Sequence, residues 1–385
     1  MGKDRPSTRQ IAEAIARRAG SEELTRLLVD ELPGSELASL LLHVMRERSR
    51  SVTWADALRL VERNGLVRAD IVDARVMTQL DAHAFAAAEG FDAVELSPVA
   101  PFGVNALTGI DQNNVLTATR GTEVLADPTI AMALECARRR KRDGRTGVVR
   151  LAASQRLIRM QPFDDPGFSR HFRLFALVTA GRDTGDERFE QEALREQLSV
   201  WLTLVESLRT AGWNIPNVRI ELSDTRVMRA LLESAGVPLE SLRGHVSPMK
   251  FDEELKRRGL SLPGPVTEPL KVLDGDLRRL GERMERLRTG VLEPLAARFP
   301  GMEGRFDFAR LHGVNYYEGP TVHVILRHPD GRELPVGDGG FTTWTQSLLN
   351  DRKERLLTGA LGTEFLYHVF RPASPLRNGA RSMPQ

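Results

Sequence analysis

The segment of residues 311–340 constrains the fold more than any other part of this 385-residue chain. It reads LHGVNYYEGPTVHVILRHPDGRELPVGDGG, and in it a glycine and two adjacent tyrosines, Tyr316 and Tyr317, precede an alternating apolar strand. A Pro-Asp-Gly turn leads into a second strand that ends near Gly339 and Gly340. Two alternating runs on either side of a short turn are typical of a β-hairpin. The segment therefore predicts antiparallel strands with a polar aromatic pair where the hairpin begins.

The composition is that of an ordinary globular chain, with 41% apolar and 28% charged residues. The formal net charge of +2 indicates no general preference for polyanions. The single cysteine, Cys136, excludes an internal disulfide framework, and its apolar neighbours predict a core position. No apolar run approaches the roughly 18 residues that a membrane span requires, and the first residues lack the apolar core of a signal peptide. We expect a cytoplasmic protein without a membrane-spanning segment.

The order of the patterns predicts an α+β fold, an antiparallel β-sheet flanked by helices, with an N-terminal helical domain. That domain is either a docking domain or a module that binds nucleic acid or a partner. Neither a dinucleotide-binding G-x-G-x-x-G after a strand nor a P-loop is present. The predicted parts are an N-terminal helical domain (1–88), a first core segment (89–224), a helical insertion (225–300), a second core segment (301–372) and a disordered tail (373–385).

One helix and two candidate strands of the first core segment carry most of its motifs. The helix is predicted from about Pro128 to Arg142, because Pro128 suits the first helical turn. The strands are predicted at residues 148–161 and 171–179, and apolar residues on both faces of the second favour a central place in the sheet. The basic run of residues 138–145 is either a solvated helix end or a patch that contacts phosphate.

In their order, these motifs resemble those of histidyl-tRNA synthetase and its relatives among the class II aminoacyl-tRNA synthetases, over roughly residues 90–370. In that family an Arg-Gly-Leu-Asp-Tyr-Tyr run enters a hairpin and a Gly-Gly-Arg-Tyr-Asp run follows it. The tyrosines and glycines match here, whereas His312, Asn315 and Phe341 depart from the pattern. Residues 150–179 resemble the family's second conserved motif, and TRGTEVLADPT resembles its Leu-Arg-Pro-Glu-Gly-Thr run.

The resemblance implies a site for ATP, with Mg²⁺ as a second cofactor and no metal ligand assigned. Arg159 would clamp the α-phosphate, since a guanidinium lets a carboxylate approach a phosphate of like charge. Gln161 would accept a hydrogen bond from the adenine amino group, and Phe172 or Phe175 would stack on adenine. Lys353 or Arg355, from the preceding helix, would replace the arginine that the family's last motif places on the γ-phosphate.

The resemblance also implies a site for an amino group. Asp127 and Thr129 are the counterparts of the family's glutamate and threonine, and Glu123 is a second candidate carboxylate. A carboxylate opposite an ammonium is the expected chemistry for an amino-acid substrate. The spacing of Asp127, Pro128 and Thr129 equally predicts a helix N-cap, and the two roles do not exclude each other.

The remaining implied residues concern the choice of substrate. Tyr316 and Tyr317 would line the substrate pocket, and His312 would contact the activated carboxylate in place of the family's arginine. The Gln-x-x-x-Glu pair that reads the imidazole ring has no counterpart in residues 176–181. A buried site without those groups should reject histidine.

The leading expectation is a synthetase-like enzyme that activates a small amino or carboxylic acid with ATP as an acyl-adenylate. The acyl acceptor would be a tRNA acceptor stem, a carrier protein or a small molecule, and the resemblance implies a homodimer. The alternative is a catalytically silent paralogue that serves as a regulatory or scaffolding subunit, like the regulatory subunit of ATP phosphoribosyltransferase. A third option is an RNA-binding module that uses the basic run.

Overall fold

A computed structural model gives the fold. It describes residues 7–21, 23–160, 170–237, 255–259, 262–309, 313 and 316–372. The strands of this part of the chain are β1 (Asp92–Ala93), β2 (Val99–Pro101), β3 (Thr117–Ala118), β4 (Thr122–Val124), β5 (Val149–Ile158), β6 (His171–Arg182), β7 (Asn217–Asp224), β8 (Met302–Phe306), β9 (Pro320–Arg327), β10 (Glu333–Thr342) and β11 (Glu354–Leu361).

The helices are numbered in the same way. They are α1 (Thr8–Arg18), α2 (Leu24–Arg26), α3 (Gly34–Ser49), α4 (Trp54–Arg63), α5 (Ala74–Ala87), α6 (Val104–Leu107), α7 (Pro128–Arg142), α8 (Arg188–Thr210), α9 (Thr225–Ser234), α10 (Arg278–Leu287), α11 (Glu293–Arg298), α12 (Trp344–Leu349) and α13 (Thr363–Phe370). Short π-helical turns lie at Leu27–Glu31 and Arg288–Leu292, and 3₁₀ turns lie at Gln112–Asn114, Pro269–Lys271 and Gly275–Leu277.

The main sheet has eight strands in the order β1-β5-β6-β11-β10-β9-β7-β8. The six central strands are antiparallel, while the edge pairs β1–β5 and β7–β8 are parallel. A small second sheet has the order β2-β4-β3. The predicted α+β class is confirmed, and the prediction of an antiparallel sheet holds for the centre but not for the two edges.

The two faces of the sheet have different coverings. On one face, α5 and α8 bury the main core, which includes Leu80, Phe175 and Trp201. On the other face, α7 covers the β5–β6–β11 part, where Cys136 packs beside Leu356. Cys136 is fully buried as predicted, and burial raises the pKa of its thiol to about 12, so it is an inert core residue.

Helix α7 has the predicted bounds because its ends are specified locally. The Asp127 side chain accepts a hydrogen bond from the Thr129 N–H, and Pro128 occupies the first turn. Near its end, Arg140 turns inward to the Glu354 carboxylate at the start of β11. Helix α7 is therefore fixed to the sheet at the same end as its basic run.

Helices α1 to α4 differ from the rest of the chain in burial. Ala16 is the only buried side chain among the described residues from 7 to 71. Helix α5, by contrast, contributes Met77, Leu80 and Ala84 to the main core. The part of the chain that packs with the sheet thus begins before residue 89.

Within the described residues, no helix combines the length and the apolar character that crossing a bilayer requires. The predicted tail of residues 373–385 lies outside them.

Candidate functional site

The hairpin predicted from residues 311–340 is formed by β9 and β10, and its tyrosines pack at its start. The ring centroids of Tyr316 and Tyr317 lie 4.3 Å apart, and Tyr317 is 5% exposed. A Cβ at Gly340 would lie 2.7 Å from the Tyr317 ring, and one at Gly313 would lie 2.4 Å from it. Gly313 also has φ +81°, which disfavours other residues. The two glycines therefore make the space that the Tyr317 ring occupies.

The backbone after the tyrosines is bound to the neighbouring strand and helix. The Gly319 N–H donates to Thr225 Oγ1 at 2.9 Å, and the Thr225 N–H donates to the Gly319 carbonyl at 3.0 Å. Arg229 of α9 donates to the Glu318 carboxylate at 2.9 Å. These contacts fix the segment that follows the tyrosine pair against the first turns of α9.

A polar row crosses the sheet beside the tyrosines. Glu221, His323, Asp338, Ala360 and Ala176 are successive cross-strand neighbours on β7, β9, β10, β11 and β6. Side chains two residues apart share a face, so the Gly340 position under the Tyr317 ring lies on the same face as Asp338. This face carries polar groups on β7, β9 and β10, where it could receive a small polar molecule, whereas Ala176 and Ala360 at its β6 and β11 end pack in the cluster that α7 covers.

The polar end of this row, on β7, was not predicted from the sequence. Glu221 is buried and accepts hydrogen bonds from Arg219 Nε at 3.0 Å and Arg305 Nε at 2.8 Å. Arg219 also pairs with Glu333 of β10. Charged residues at alternate positions of the otherwise apolar VRIEL strand were the signal, because they mark a face that the core does not cover.

Several residues of the implied nucleotide and amino-group sites do lie together. Arg159 donates from Nε to the Ala126 carbonyl at 3.0 Å, and its guanidinium is 3.9 Å from Asp127. The same guanidinium lies 5.2 Å from the ring centroid of Phe172. Asp127 in turn accepts the Thr129 hydroxyl at 2.7 Å. The strand end of β5 and the start of α7 therefore form one cluster.

Glu123 is a structural carboxylate in this fold. It is fully buried and accepts hydrogen bonds from the Gly103 and Asn105 N–H groups and from the side chains of Asn105 and Gln112. Burial alone would raise the pKa of Glu123, but these hydrogen bonds lower it below its ordinary range. Since its oxygens are already bonded, Glu123 is not available to a substrate ammonium without breaking the loop.

Phe175 and Arg355 lie away from the Arg159 cluster. Phe175 is on the opposite face of β6 from Phe172, fully buried against Phe85, so it cannot stack on a base beside Arg159. Arg355 pairs across strands with Gly181, nine residues along β6 from Phe172, which is about 30 Å in a strand. Arg355 donates instead to Glu190 at 3.0 Å and Asp183 at 2.6 Å. One nucleotide cannot contact both Arg159 and Arg355.

Three residues named from the sequence lie outside the described residues. They are His312, Gln161 and Asn315.

Comparisons with known proteins bear on the fold and on the relatives of the chain. No family model matches the chain. By sequence, it is 28% identical over 197 residues to the ATP phosphoribosyltransferase regulatory subunit of Paracidovorax citrulli (strain AAC00-1), a match that spans 48% of each chain. It is 26% identical over 154 residues to the regulatory subunit of Pseudomonas paraeruginosa (strain DSM 24068 / PA7), which spans 34% of this chain and 36% of that one. The matches thus cover half or less of these relatives.

Solved structures resemble the fold over a larger share of the chain. An ATP phosphoribosyltransferase regulatory subunit/histidyl-tRNA synthetase from Bacillus halodurans C superposes with a TM-score of 0.59 at 14% identity, covering 78% of this chain and 80% of that one. Histidyl-tRNA synthetase from Nostoc sp. PCC 7120 gives 0.53 at 16% identity, covering 76% and 70%. The chain has the histidyl-tRNA synthetase-like class II fold.

The basic run beside this class II fold is largely neutralised within the chain. Arg138 and Arg139 both pair with Glu135, at 2.7 Å each. Arg140 is buried against Glu354, and Arg142 pairs with the adjacent Asp143. These pairs favour the solvated helix end over the phosphate-binding patch, and they weaken the case for RNA binding.

A second cluster of titratable groups lies where the chain enters the class II fold. Ligand-type atoms of Asp70, Glu364 and His368 lie within 4.8 Å of one another. The Arg156 guanidinium pairs with both carboxylates, at 3.3 Å from Asp70 and 2.7 Å from Glu364. The Arg156 guanidinium thus lies between the two carboxylates, in the place that a metal cation would have.

Proposed function

We propose that this chain is a non-catalytic class II paralogue that acts as the regulatory subunit of an ATP phosphoribosyltransferase. The observation that carries the proposal is the sequence match to regulatory subunits of that enzyme, joined with the class II fold. The proposed partner is the catalytic subunit, and the proposed location is the cytoplasm. The matches cover half or less of those relatives, so the partner and the activity are part of the proposal.

The geometry supports a binding role without catalysis. Arg355 is committed to Glu190 and Asp183 far from Arg159, and residues 359–370 contain no arginine. Neither Arg355 nor residues 359–370 would therefore place a cation on the γ-phosphate of a bound ATP. The face beside Tyr317, with the polar groups of β7, β9 and β10, is the proposed site for a small effector molecule.

The test is reconstitution with the ATP phosphoribosyltransferase catalytic subunit of the same organism. We expect the two chains to co-sediment and the transferase rate to change when this chain is added. The Arg159→Ala variant should have the same effect as the wild type, since no adenylation is involved. Absence of both association and rate change at micromolar concentrations would overturn the proposal.

The second candidate is the ligase expected from the sequence, and one observation favours it. Arg159, Phe172, Asp127 and Thr129 lie in one cluster, as an α-phosphate clamp and an ammonium site would require. In that role the chain would use ATP and Mg²⁺ to activate a small amino or carboxylic acid, as a homodimer, for a tRNA acceptor stem or a carrier protein. Arg159 and Phe172 would hold the nucleotide, and Mg²⁺ would neutralise phosphate charge.

Exchange of pyrophosphate into ATP, measured across a panel of amino acids, separates the two candidates. Exchange that Arg159→Ala abolishes would establish the ligase. The regulatory proposal predicts no exchange with any acid.

A further inference from the structure

The attachment of residues 7–71 to the rest of the described chain is polar. Apart from Ala16, no described side chain of this stretch is buried. Thr8 Oγ1 donates to Asn113 Oδ1 at 3.2 Å, and the other hydrogen bonds and ion pairs to the sheet come from Arg68 and Asp70. An attachment with so little apolar area depends on the state of its charged groups.

The junction at Arg68 and Asp70 joins the linker after α4 to two strands. Arg156 of β5 donates to Asp70 at 3.3 Å and contacts His171 Nδ1 at 2.8 Å. His171 of β6 contacts the Arg68 carbonyl through Nε2 at 2.7 Å. On its other side, Arg156 donates to Glu364 of α13 at 2.7 Å. Four segments of the chain therefore meet at one guanidinium.

The charges at the junction do not balance unless a proton is present. Carboxylate oxygens of Asp70 and Glu364 lie within 4.8 Å of each other, and two ionised carboxylates repel at that distance. Arg156 supplies one positive charge for the two carboxylates, and Glu364 is 3% exposed. A carboxyl–carboxylate pair with one shared proton removes the repulsion and leaves one negative charge for the Arg156 guanidinium.

Two histidines lie beside the pair: His171 Nδ1 is 3.8 Å from Asp70, and His368 lies within 4.8 Å of both carboxylates, with its pKa lowered by burial. Tyr367 accepts a hydrogen bond from the Asp73 N–H at 2.9 Å, and Arg371 lies over the Tyr367 ring. Arg173 is engaged by Asp81 at 2.7 Å. The titratable and charged groups that face the junction are Arg68, Asp70 and Asp73 of the linker, Arg156 of β5, His171 and Arg173 of β6, Asp81 of α5, Glu364, Tyr367 and His368 of α13, and Arg371.

We propose that the Asp70–Glu364 pair is a proton-operated latch that fastens residues 7–71 to the sheet and releases them when the shared proton is lost. The latch does not depend on the proposed regulatory function. It adds a device that makes the position of the N-terminal helices depend on pH.

The sign of the pH dependence follows from three groups. Burial, aided by the hydrogen bond with Asp70, raises the pKa of Glu364 from 4.5 to about 8. The contribution of protonated Glu364 to holding residues 7–71 on the sheet is therefore complete below pH 4.5, and it is lost as the pH rises to about 8. Burial alone would raise the pKa of Asp70, but hydrogen bonds from Glu364, Ile71 and Arg156 lower it below 3.8, and burial lowers the pKa of His368 below 6.5. Protonation of His368 would weaken the latch only at acid pH. Loss of the Glu364 proton therefore sets the release, which occurs towards pH 8 and above.

Small-angle X-ray scattering on the full chain at pH 6 and pH 9 tests the latch. At pH 6 we expect a radius of gyration near the value of about 21 Å for a compact chain of this length. At pH 9 we expect an increase of several ångström with unchanged far-ultraviolet circular dichroism. The Glu364→Gln variant should stay compact at both pH values, because its amide donates to Asp70 without a titratable proton.

The matched control is Glu190→Gln, which changes another buried glutamate that pairs with an arginine, far from the junction. It should expand at pH 9 as the wild type does. The latch is overturned by equal radii of the wild type at both pH values, by an expansion of Glu364→Gln equal to that of the wild type, or by expansion accompanied by loss of helical signal.

Discussion

At the residue scale, a single ion pair fixes α7 to the central sheet. Arg140 and Glu354 are both fully buried, and Nε lies 2.5 Å from Oε2. The remaining guanidinium donors reach the carbonyls of Gly147 at 2.8 Å and Arg145 at 3.0 Å. Because every charged group has a partner, the pair can exist away from water, but neither member can be removed alone without leaving an uncompensated charge.

The Arg140→Met substitution should lower the free energy of unfolding by about 3–5 kcal/mol, because Glu354 would remain as an uncompensated buried charge. Urea denaturation followed by circular dichroism measures the change. The control is Arg138→Met, since Arg138 is 63% exposed and solvent screens its pair with Glu135, so its loss should change the stability little. Equal losses in the two variants would contradict the prediction.

Gly340→Ala should destabilise the chain by about 1–3 kcal/mol, because the added Cβ would lie 2.7 Å from the Tyr317 ring and 2.9 Å from Thr321. Thermal unfolding of the two proteins measures the difference. Gly264→Ala is the matched control, since a Cβ there meets open space. The cost should shrink in a Tyr317→Leu background, and an unchanged cost there would show that the ring is not the obstacle.

The sequence could indicate which candidate residues lie together only where neighbours along the chain fix them. Asp127 and Thr129 are two residues apart, and Arg159 follows directly from its strand, so their grouping could be anticipated. Phe175 was assigned beside Phe172 from its residue type, but strand alternation places it on the opposite face. Arg355 was assigned to the nucleotide from sequence order, which gives no information about the register of β11 against β6.

At the element scale, variants of Asp127 at the start of α7 can distinguish its role as a helix cap from a role in ligand binding. Asp127→Ala should cost about 0.5–2 kcal/mol of stability, because the Thr129 N–H and hydroxyl lose their acceptor. Asp127→Asn should retain nearly all of the stability, since an amide oxygen can still accept both. Chemical denaturation of the two variants measures this.

The same pair of variants tests the ammonium role of Asp127. If the carboxylate binds a substrate ammonium, Asp127→Asn should weaken binding of an active acid in calorimetry while the stability is kept. Weakening by Asp127→Ala alone would assign the residue to the cap.

Elements were predicted best where their ends carry local signals. The bounds of α7 follow from Asp127, Pro128 and the basic end, and the hairpin follows from its Pro-Asp-Gly turn. The parallel edge pairs could not be predicted, because Asp92 and Val218 find partners 59 and 84 residues away, at Leu151 and Met302. No local pattern encodes pairing over such distances.

At the scale of the whole molecule, the N-terminal helices and the core separate at the linker before α5. A chain that starts at residue 72 should unfold at nearly the wild-type urea concentration, because the described residues before it bury only Ala16. A chain that starts at residue 89 should be strongly destabilised, since it also lacks Met77, Leu80 and Ala84 of the main core. Equal midpoints for the two truncations would contradict this division.

The strand order has a consequence for how the protein is made. Strand β6, which ends at Arg182, pairs with β11, which begins at Glu354. During synthesis β6 therefore has no partner on that edge until β11 has been made. At translation rates of about 5–20 residues per second, the ribosome takes roughly 10–35 seconds to make the residues between them. During that time β5 and β6 form a ribbon with an unsatisfied edge, which other chains can pair with. A nascent chain that stalls before residue 354 should therefore be a substrate for chaperones, although every residue of the Arg159 cluster has already been made.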